Sequence, residues 1–301
     1  MFGYVRPSVR DLPEEERIPL IEKFRKMYET MDFYVLYNRF LKKEGYQTLP
    51  RRPLEKRKLR YEDVYPVLYL KYRLSRQAER SNIKHLVIDE MQDYSRLQYL
   101  IIRRMFSCKM TILGDRAQTM ADQQQDVLQF LPGIFGKDLR RIEMRKSYRN
   151  TVEIASYAAN LIGVTDLELF ERHGMPVLER NVTDLEAALR EAVDTLFPEE
   201  KTYETAAVIV PDEKTAERAY LILREILVEK DFDCEKRLSW LNRDSSSFKK
   251  GLTVTTFYLA KGLEFDQVFS IFPKDEKREM MMQAQYIAAT RALHELRVYH
   301  I

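Results

Sequence analysis

The chain has 301 residues, 45% of them hydrophobic and 32% charged, and 50 lysines and arginines stand against 47 aspartates and glutamates for a formal net charge of +3. Two domains with sizeable cores are the natural expectation at this length, and so small a charge does not by itself argue for a nucleic-acid partner. No apolar run is long enough to cross a bilayer, no signal peptide opens the chain, and its 2 cysteines lie far apart, which excludes a disulfide framework and predicts a cytoplasmic protein with no membrane partner.

Residues 1–80 are expected to form a helical segment with a basic linker. Apolar residues recur at helical spacing from Ile18 to Lys43, among them Leu20, Phe24, Met27, Met31, Val35 and Phe40, and Gly45 is a reasonable stop. The stretch from Arg51 to Arg60 is the densest basic run. Glu55 and Pro53 interrupt it and no aromatic residue alternates with the charges, so a solvated linker is the favoured reading over a nucleic-acid contact. A helical pattern returns from Tyr61 to Leu74.

Residues 81–145 read as one strand at His85 to Ile88, an amphipathic helix from Ser95 to Phe106, a second strand around Thr111 to Leu113, and a loop region. This is a βαβ unit with an expected right-handed crossover. Residues 146–301 read as a second, nearly complete α/β domain. Its helices are expected at Thr151–Leu161, Asp184–Leu196, Lys214–Glu229 and Met280–Leu293. Its strands are expected at Pro176–Glu179, Thr205–Pro211, Leu252–Phe257, Gln267–Phe272 and Leu296–His300. Such alternation implies a parallel sheet covered on both faces.

The chemistry concentrates at strand ends. His85-Leu86-Val87-Ile88 runs directly into Asp89 and Glu90. Ligands collect at the carboxyl ends of parallel strands, where one carboxylate can hold Mg²⁺ and its neighbour can orient a hydrolytic water. The plainer reading is a strand end followed by a helix cap. Four further segments follow in order. They are Thr111 to Gln118, Lys146-Ser147-Tyr148-Arg149-Asn150-Thr151, Leu252–Phe257 with Ala260-Lys261-Gly262-Leu263-Glu264-Phe265-Asp266, and Tyr286 to Ala292.

In order and spelling these five segments resemble the UvrD/Rep-like superfamily 1 helicases over residues 83–301. The resemblance implies RecA-like, parallel-sheet P-loop NTPase domains, the first of them incomplete. It also implies ATP hydrolysis and DNA helicase activity, with ATP and Mg²⁺ as cofactors. Position by position, Asp89 matches the Mg²⁺ carboxylate and Glu90 the group that positions or deprotonates water. Gln118 matches the γ-phosphate-sensing glutamine, and Arg149 and Arg291 match arginines that reach that phosphate. Gly262 matches a close backbone approach to the phosphates, and Glu264 a ribose contact. The plainer readings are a helix-start surface residue for Arg149 and a solvated loop for Glu264.

One element is missing. An ATPase of this class needs GxxxxGK[ST], whose backbone amides wrap the phosphates. The nearest match, Gly133-Ile134-Phe135-Gly136-Lys137-Asp138, is too short, carries Asp138 where a hydroxyl residue belongs, and follows the second acidic strand. It reads as a turn. The chain is therefore expected to be either the carboxyl-terminal portion of a longer motor that lacks its amino-terminal segment, or a natural remnant, and to be inactive alone.

Two departures refine the resemblance. Residues 119–125 hold no aromatic ring for base stacking, and Tyr258-Leu259 stand where a His-Ser pair often touches DNA. Both look like the HelD branch, which binds and recycles RNA polymerase, as do Tyr61-Glu62-Asp63, Asp93-Tyr94-Ser95 and Thr290 to Leu296. The partners implied are ATP, DNA and/or RNA polymerase, and the missing motor segment. The alternative is a non-catalytic RecA-like docking module that binds RNA polymerase or nucleic acid.

Overall fold

The structure, a computed structural model, describes residues 13–26, 30, 32–74, 82–115, 118, 126–144, 146–165, 168–197, 202–230, 233–243, 245, 250–274 and 279–301. The chain divides into two compact units, one made of Met1–Leu113 and Val127–Leu139, the other of Gly114–Asp126 and Arg140–Ile301.

In the first unit, α1 (Glu14–Lys26), α2 (Phe33–Lys43) and α3 (Tyr61–Leu74) precede β1 (His85–Ile88), α4 (Arg96–Met105), β2 (Lys109–Ile112) and α5 (Val127–Phe135). The helical pattern from Ile18 to Lys43 is two helices, not one. Asp32 starts the second, its Oδ1 accepting from the amides of Tyr34 and Val35 at 3.0 and 3.4 Å. The basic run is more than a linker. Arg57 pairs with Asp32 at 2.7 Å and lies over the Tyr34 ring, 4.7 Å from its centroid. Arg60 pairs at 2.7 Å with the buried Asp63, which also accepts from the Tyr37 hydroxyl at 2.8 Å. Burial, then the Asp63 carboxylate, push the Tyr37 hydroxyl up to about 12. These ties brace a small core of Tyr34, Tyr37, Leu41 and Leu49, with Leu59, Val67 and Leu70 against it.

β1 and β2 pair in parallel, His85 opposite Lys109 through Ile88 opposite Ile112, with α4 between them in sequence. Ser95 and Gln98 form a reciprocal capping box at the start of α4. α5 occupies sequence expected to be loop. Pro132 and Gly133 read as breakers there, but Val127 and Leu131 bury against Ile88 and Tyr99, and packing overrides propensity. The near-match to a phosphate loop is the end of α5 followed by a 3₁₀ turn, Gly136–Asp138, entered through Gly136 at φ +70°. It does not join a strand to a helix.

The second unit is built on a six-stranded sheet, order β5-β10-β9-β6-β8-β7, in which every pairing is parallel. The strands are β5 (Leu178–Asn181), β6 (Thr205–Val210), β7 (Leu238–Trp240), β8 (Gly251–Thr256), β9 (Phe265–Phe272) and β10 (Ala292–His300). The helices are α6 (Val152–Leu161), α7 (Leu185–Asp194), α8 (Glu213–Glu229), the short α9 (Cys234–Arg237) and α10 (Glu279–Ala289). A two-residue pair, β3 (Lys146–Ser147) with β4 (Glu168–Leu169), stands apart. Thr151, Asp184 and Asp212 cap α6, α7 and α8 through their side-chain oxygens. The sheet is covered on both faces, and β6 shows it by alternation. Ala206, Val208 and Val210 pack with Leu189, Leu223 and Leu227 of α7 and α8. Ala207 and Ile209 pack with Ile154 of α6 and Ile287 of α10. The fold is thus mixed α/β, as the sequence predicts. Among the described residues no helix is long and apolar enough to cross a membrane.

Candidate functional site

The first unit carries the acidic pair. The apolar strand β1 ends at Ile88, and the chain turns sharply through Glu90, whose φ of 52° and ψ of 51° are left-handed. A side chain there costs about 1–2 kcal/mol, because Cβ crowds the carbonyl oxygen. The turn is fastened on both sides. The Glu90 amide donates to Asp89 Oδ1 at 2.8 Å, and the Met91 amide to the Leu113 carbonyl at 2.8 Å. The Gln92 side chain, buried, donates to Glu90 Oε2 at 2.5 Å, so the glutamate is held by its tip as well as its backbone. Asp89 is exposed. Among the described residues no group of three or more His, Cys, Asp or Glu could hold a metal ion. The described residues therefore build no dedicated cage there. Mg²⁺, however, is commonly held by one or two carboxylates together with nucleotide phosphates, and an exposed Asp89 at a strand end fits that partial role.

The second unit carries the remaining candidates, and it brings two of them together. Gln118 and Arg291, separated by 173 positions, meet with Arg291 Nη2 donating to Gln118 Oε1 at 3.4 Å. Arg291 is 1% exposed, so a surface role for it is ruled out. Its guanidinium also donates to the Ile287 carbonyl at 3.2 Å, the Thr290 hydroxyl at 3.1 Å and the Leu263 carbonyl at 3.5 Å. Gln118 Nε2 donates to Asp115 Oδ2 at 3.0 Å, and the Tyr286 hydroxyl donates to the same oxygen at 3.0 Å. Burial pushes the Tyr286 hydroxyl well above its ordinary range, the Asp115 carboxylate adds to this, and Arg291 and Arg149 pull weakly the other way.

Arg149 and Glu264 form an ion pair with each other at 2.6 Å, both half exposed. Gly262 lies close before Glu264 in sequence at φ +76°, and a Cβ built on it meets nothing within 4 Å, so its glycine is explained by backbone conformation rather than crowding. Sequence reasoning missed Asp115, Tyr286 and Gln92, which orient the matched residues. It also missed Asn150, buried next to Arg149. Asn150 Nδ2 bridges the carbonyls of Thr290 and Ala292 at 3.2 and 2.6 Å, tying the start of α6 to the end of α10. All of these lie inside or beside the motif segments; the signal was adjacency.

Residues 10–120 match the profile of the UvrD/REP helicase N-terminal domain, a stretch that includes β1, Asp89 and Glu90. Among solved structures, one similar chain is the C-terminal domain of a possible DNA helicase from Lactobacillus plantarum WCFS1, at 24% identity over 52% of this chain and 88% of that one, with a TM-score of 0.40. The PRRSV helicase is similar at 18% identity over 72% of this chain and 35% of that one, TM-score 0.39. Arterivirus nonstructural protein 10 (helicase), in complex with DNA, is similar at 14% identity over 74% of this chain and 41% of that one, TM-score 0.41. No curated protein matches the chain.

Proposed function

We propose that this chain is part of an ATP-dependent superfamily 1 helicase or translocase motor of the HelD kind. In this reading it acts on DNA or RNA polymerase and contributes metal-binding, water-positioning and charge-stabilising groups to an ATP site whose phosphate loop comes from elsewhere. The observation that carries the reading is the meeting of Gln118 and Arg291, two residues that the family resemblance assigns to the same γ-phosphate. Mg²⁺, if held there, would supply positive charge against the charge that develops on the phosphates. Asp89 is the carboxylate to hold it. Glu90, its tip fixed by Gln92, orients water and accepts its proton. Arg149 is exposed enough to leave Glu264 for a phosphate, and a guanidinium suits that task because it is always charged and forks onto two oxygens. Arg291, bonded to Gln118, is proposed as the second arginine for the γ-phosphate. Gly262 and Glu264 are proposed for phosphate approach and ribose contact.

A second reading, a non-catalytic docking module, is favoured by the absence of GxxxxGK[ST] from the sequence. One phosphate-release assay with ATP and Mg²⁺ tests both. The chain alone is expected to turn over no faster than its Glu90→Gln variant. Adding a separate polypeptide that carries the phosphate loop of a UvrD-type enzyme is expected to create turnover that Arg149→Ala lowers by about 10³. If the added segment binds but no turnover appears, the motor reading fails and the docking reading stands.

A further inference from the structure

The first unit holds a cleft of about 270 Å³ that none of the motif residues lines. It lies where α3, α4 and α5 come together, and its walls include Tyr69, Tyr72, Arg73, Arg103, Arg104 and Ile134. Three arginines therefore share a space near the lower end of ordinary small-molecule pockets, which run from about 300 Å³ upward. Among the described residues none of the three pairs with a carboxylate, and neither α4 nor α5 contains an acidic residue to supply one.

Cations in the last turn of a helix also serve its carbonyl end, and these sit in the last turns of α3 and α4. That need accounts for one of them. Arg104 Nε donates to the Tyr72 carbonyl at 3.2 Å, one of the carbonyls that the end of α3 leaves without a helical partner. Arg103 lies near the Phe135 ring, 5.9 Å from its centroid, and Arg73 projects from α3 with an exposed side chain. Like charges crowded without a counter-ion repel one another, and an anion in the cleft would relieve the repulsion.

We infer that this cleft binds one nucleotide unit, its phosphate held by Arg73, Arg103 and Arg104 and its base laid against Tyr69 or Tyr72. Guanidinium groups fork onto phosphate oxygens, and aromatic rings stack on any base without reading its sequence. The volume suits a single unit and excludes a folded partner. The unit comes either from a free nucleotide or from a single strand of nucleic acid. The inference is independent of the proposed ATP site, since no residue of that site lines the cleft.

The test uses the full chain, a fluorescein-labelled oligothymidylate followed by anisotropy, and adenosine monophosphate as competitor. Arg73→Gln with Arg103→Gln is expected to weaken binding of whichever probe binds by about tenfold and, for the oligonucleotide, to reduce the slope of log affinity against log salt by about 1. Arg104 is left in place because it closes α3. Tyr69→Leu with Tyr72→Leu is expected to weaken binding by about tenfold without changing that slope. Arg73→Lys with Arg103→Lys, which keeps the charge, is expected to restore the slope and guards against misfolding. Competition by adenosine monophosphate assigns the cleft to free nucleotides, and oligonucleotide binding without such competition assigns it to a strand. The inference is overturned if neither probe binds, if all variants bind like the parent, or if inorganic phosphate or polyglutamate competes as well as the nucleotide.

Discussion

Replacing Arg291 by methionine keeps most of the side-chain volume and removes the guanidinium from a site that is 1% exposed. Its contacts are unequal. Those to the Thr290 hydroxyl and the Ile287 carbonyl, at 3.1 and 3.2 Å, are full hydrogen bonds. Those to Gln118 and Leu263, at 3.4 and 3.5 Å, are weak. Among the described contacts, two charge-assisted bonds at about 1.5–3 kcal/mol each set the gross loss, and the desolvation cost of burying a cation, regained in the variant, offsets part of it. The net expectation is a loss of about 2 kcal/mol, or a melting point lower by about 4–8 °C for a domain of this size. Urea unfolding followed by far-UV circular dichroism measures it. A cycle with Gln118→Ala should find a coupling of only about 0.5 kcal/mol, since a single long contact joins the pair. A variant within about 0.5 kcal/mol of the parent, or more stable, would refute the idea that this network holds the end of α10. Arg291 substitutions thus mix folding with chemistry, and Arg149, 47% exposed, is the cleaner probe of phosphate contact.

Gly251 offers a sharper stability test. At φ +117° a Cβ there would lie 2.1 Å from the Arg237 carbonyl oxygen, so Gly251→Ala must push β8 from α9 and is expected to cost about 3 kcal/mol or more in urea unfolding; an unchanged midpoint contradicts the geometry. Glu153 gives a pH dependence. Burial alone would raise its carboxyl, but hydrogen bonds from His173 and from the Glu153 and Gly174 amides outweigh that and hold it at about 2. Because the folded value is depressed, the stability it contributes is complete above the ordinary value of 4.5 and is lost as pH falls from there through about 2. Glu153→Gln should therefore be less stable than the parent at pH 7 and converge with it near pH 2; an equal gap at both pH values sinks the assignment.

What was legible in the sequence follows from physical scale. Val208-Ile209-Val210 announces a strand buried on both faces, and that is where β6 runs. The sequence predicts the start of β9 two residues late because Asp266 reads as loop. Its carboxylate instead accepts from the Glu204 and Thr205 amides, each at 2.9 Å, and so sits at a strand start at no cost. β3, β4, α9 and β7 are two to four residues long, too short for any periodicity to register. In the site, the strand end at Asp89 and Glu90 was readable because an apolar run stops abruptly at two charges. The contact of Gln118 with Arg291 was not, since no spacing rule spans 173 positions. Nor was the burial of Arg291, because a charged residue is expected outside unless partners enclose it, and the partners come from distant segments.

The left-handed turn at Glu90 separates what the fold needs from what the chemistry would need. The turn itself asks for glycine or asparagine, which visit that region with little strain. Glutamate bears about 1–2 kcal/mol of strain there and regains about 1.5–3 kcal/mol from the charge-assisted bond to Gln92. Glu90→Asn should therefore leave the unfolding free energy within about 1 kcal/mol of the parent, because relief of strain and loss of the bond nearly cancel. The carboxylate thus adds little net to stability, which leaves a chemical role as the better account of it. In the proposed motor it handles a water proton, so Glu90→Asn in the reconstituted system should keep ATP binding and lose phosphate release. In a docking module the same change should alter neither stability nor binding. A fall of more than about 2 kcal/mol in unfolding free energy would show instead that the carboxylate is there to hold the turn, and the strongest physical reason for calling Glu90 catalytic would be gone.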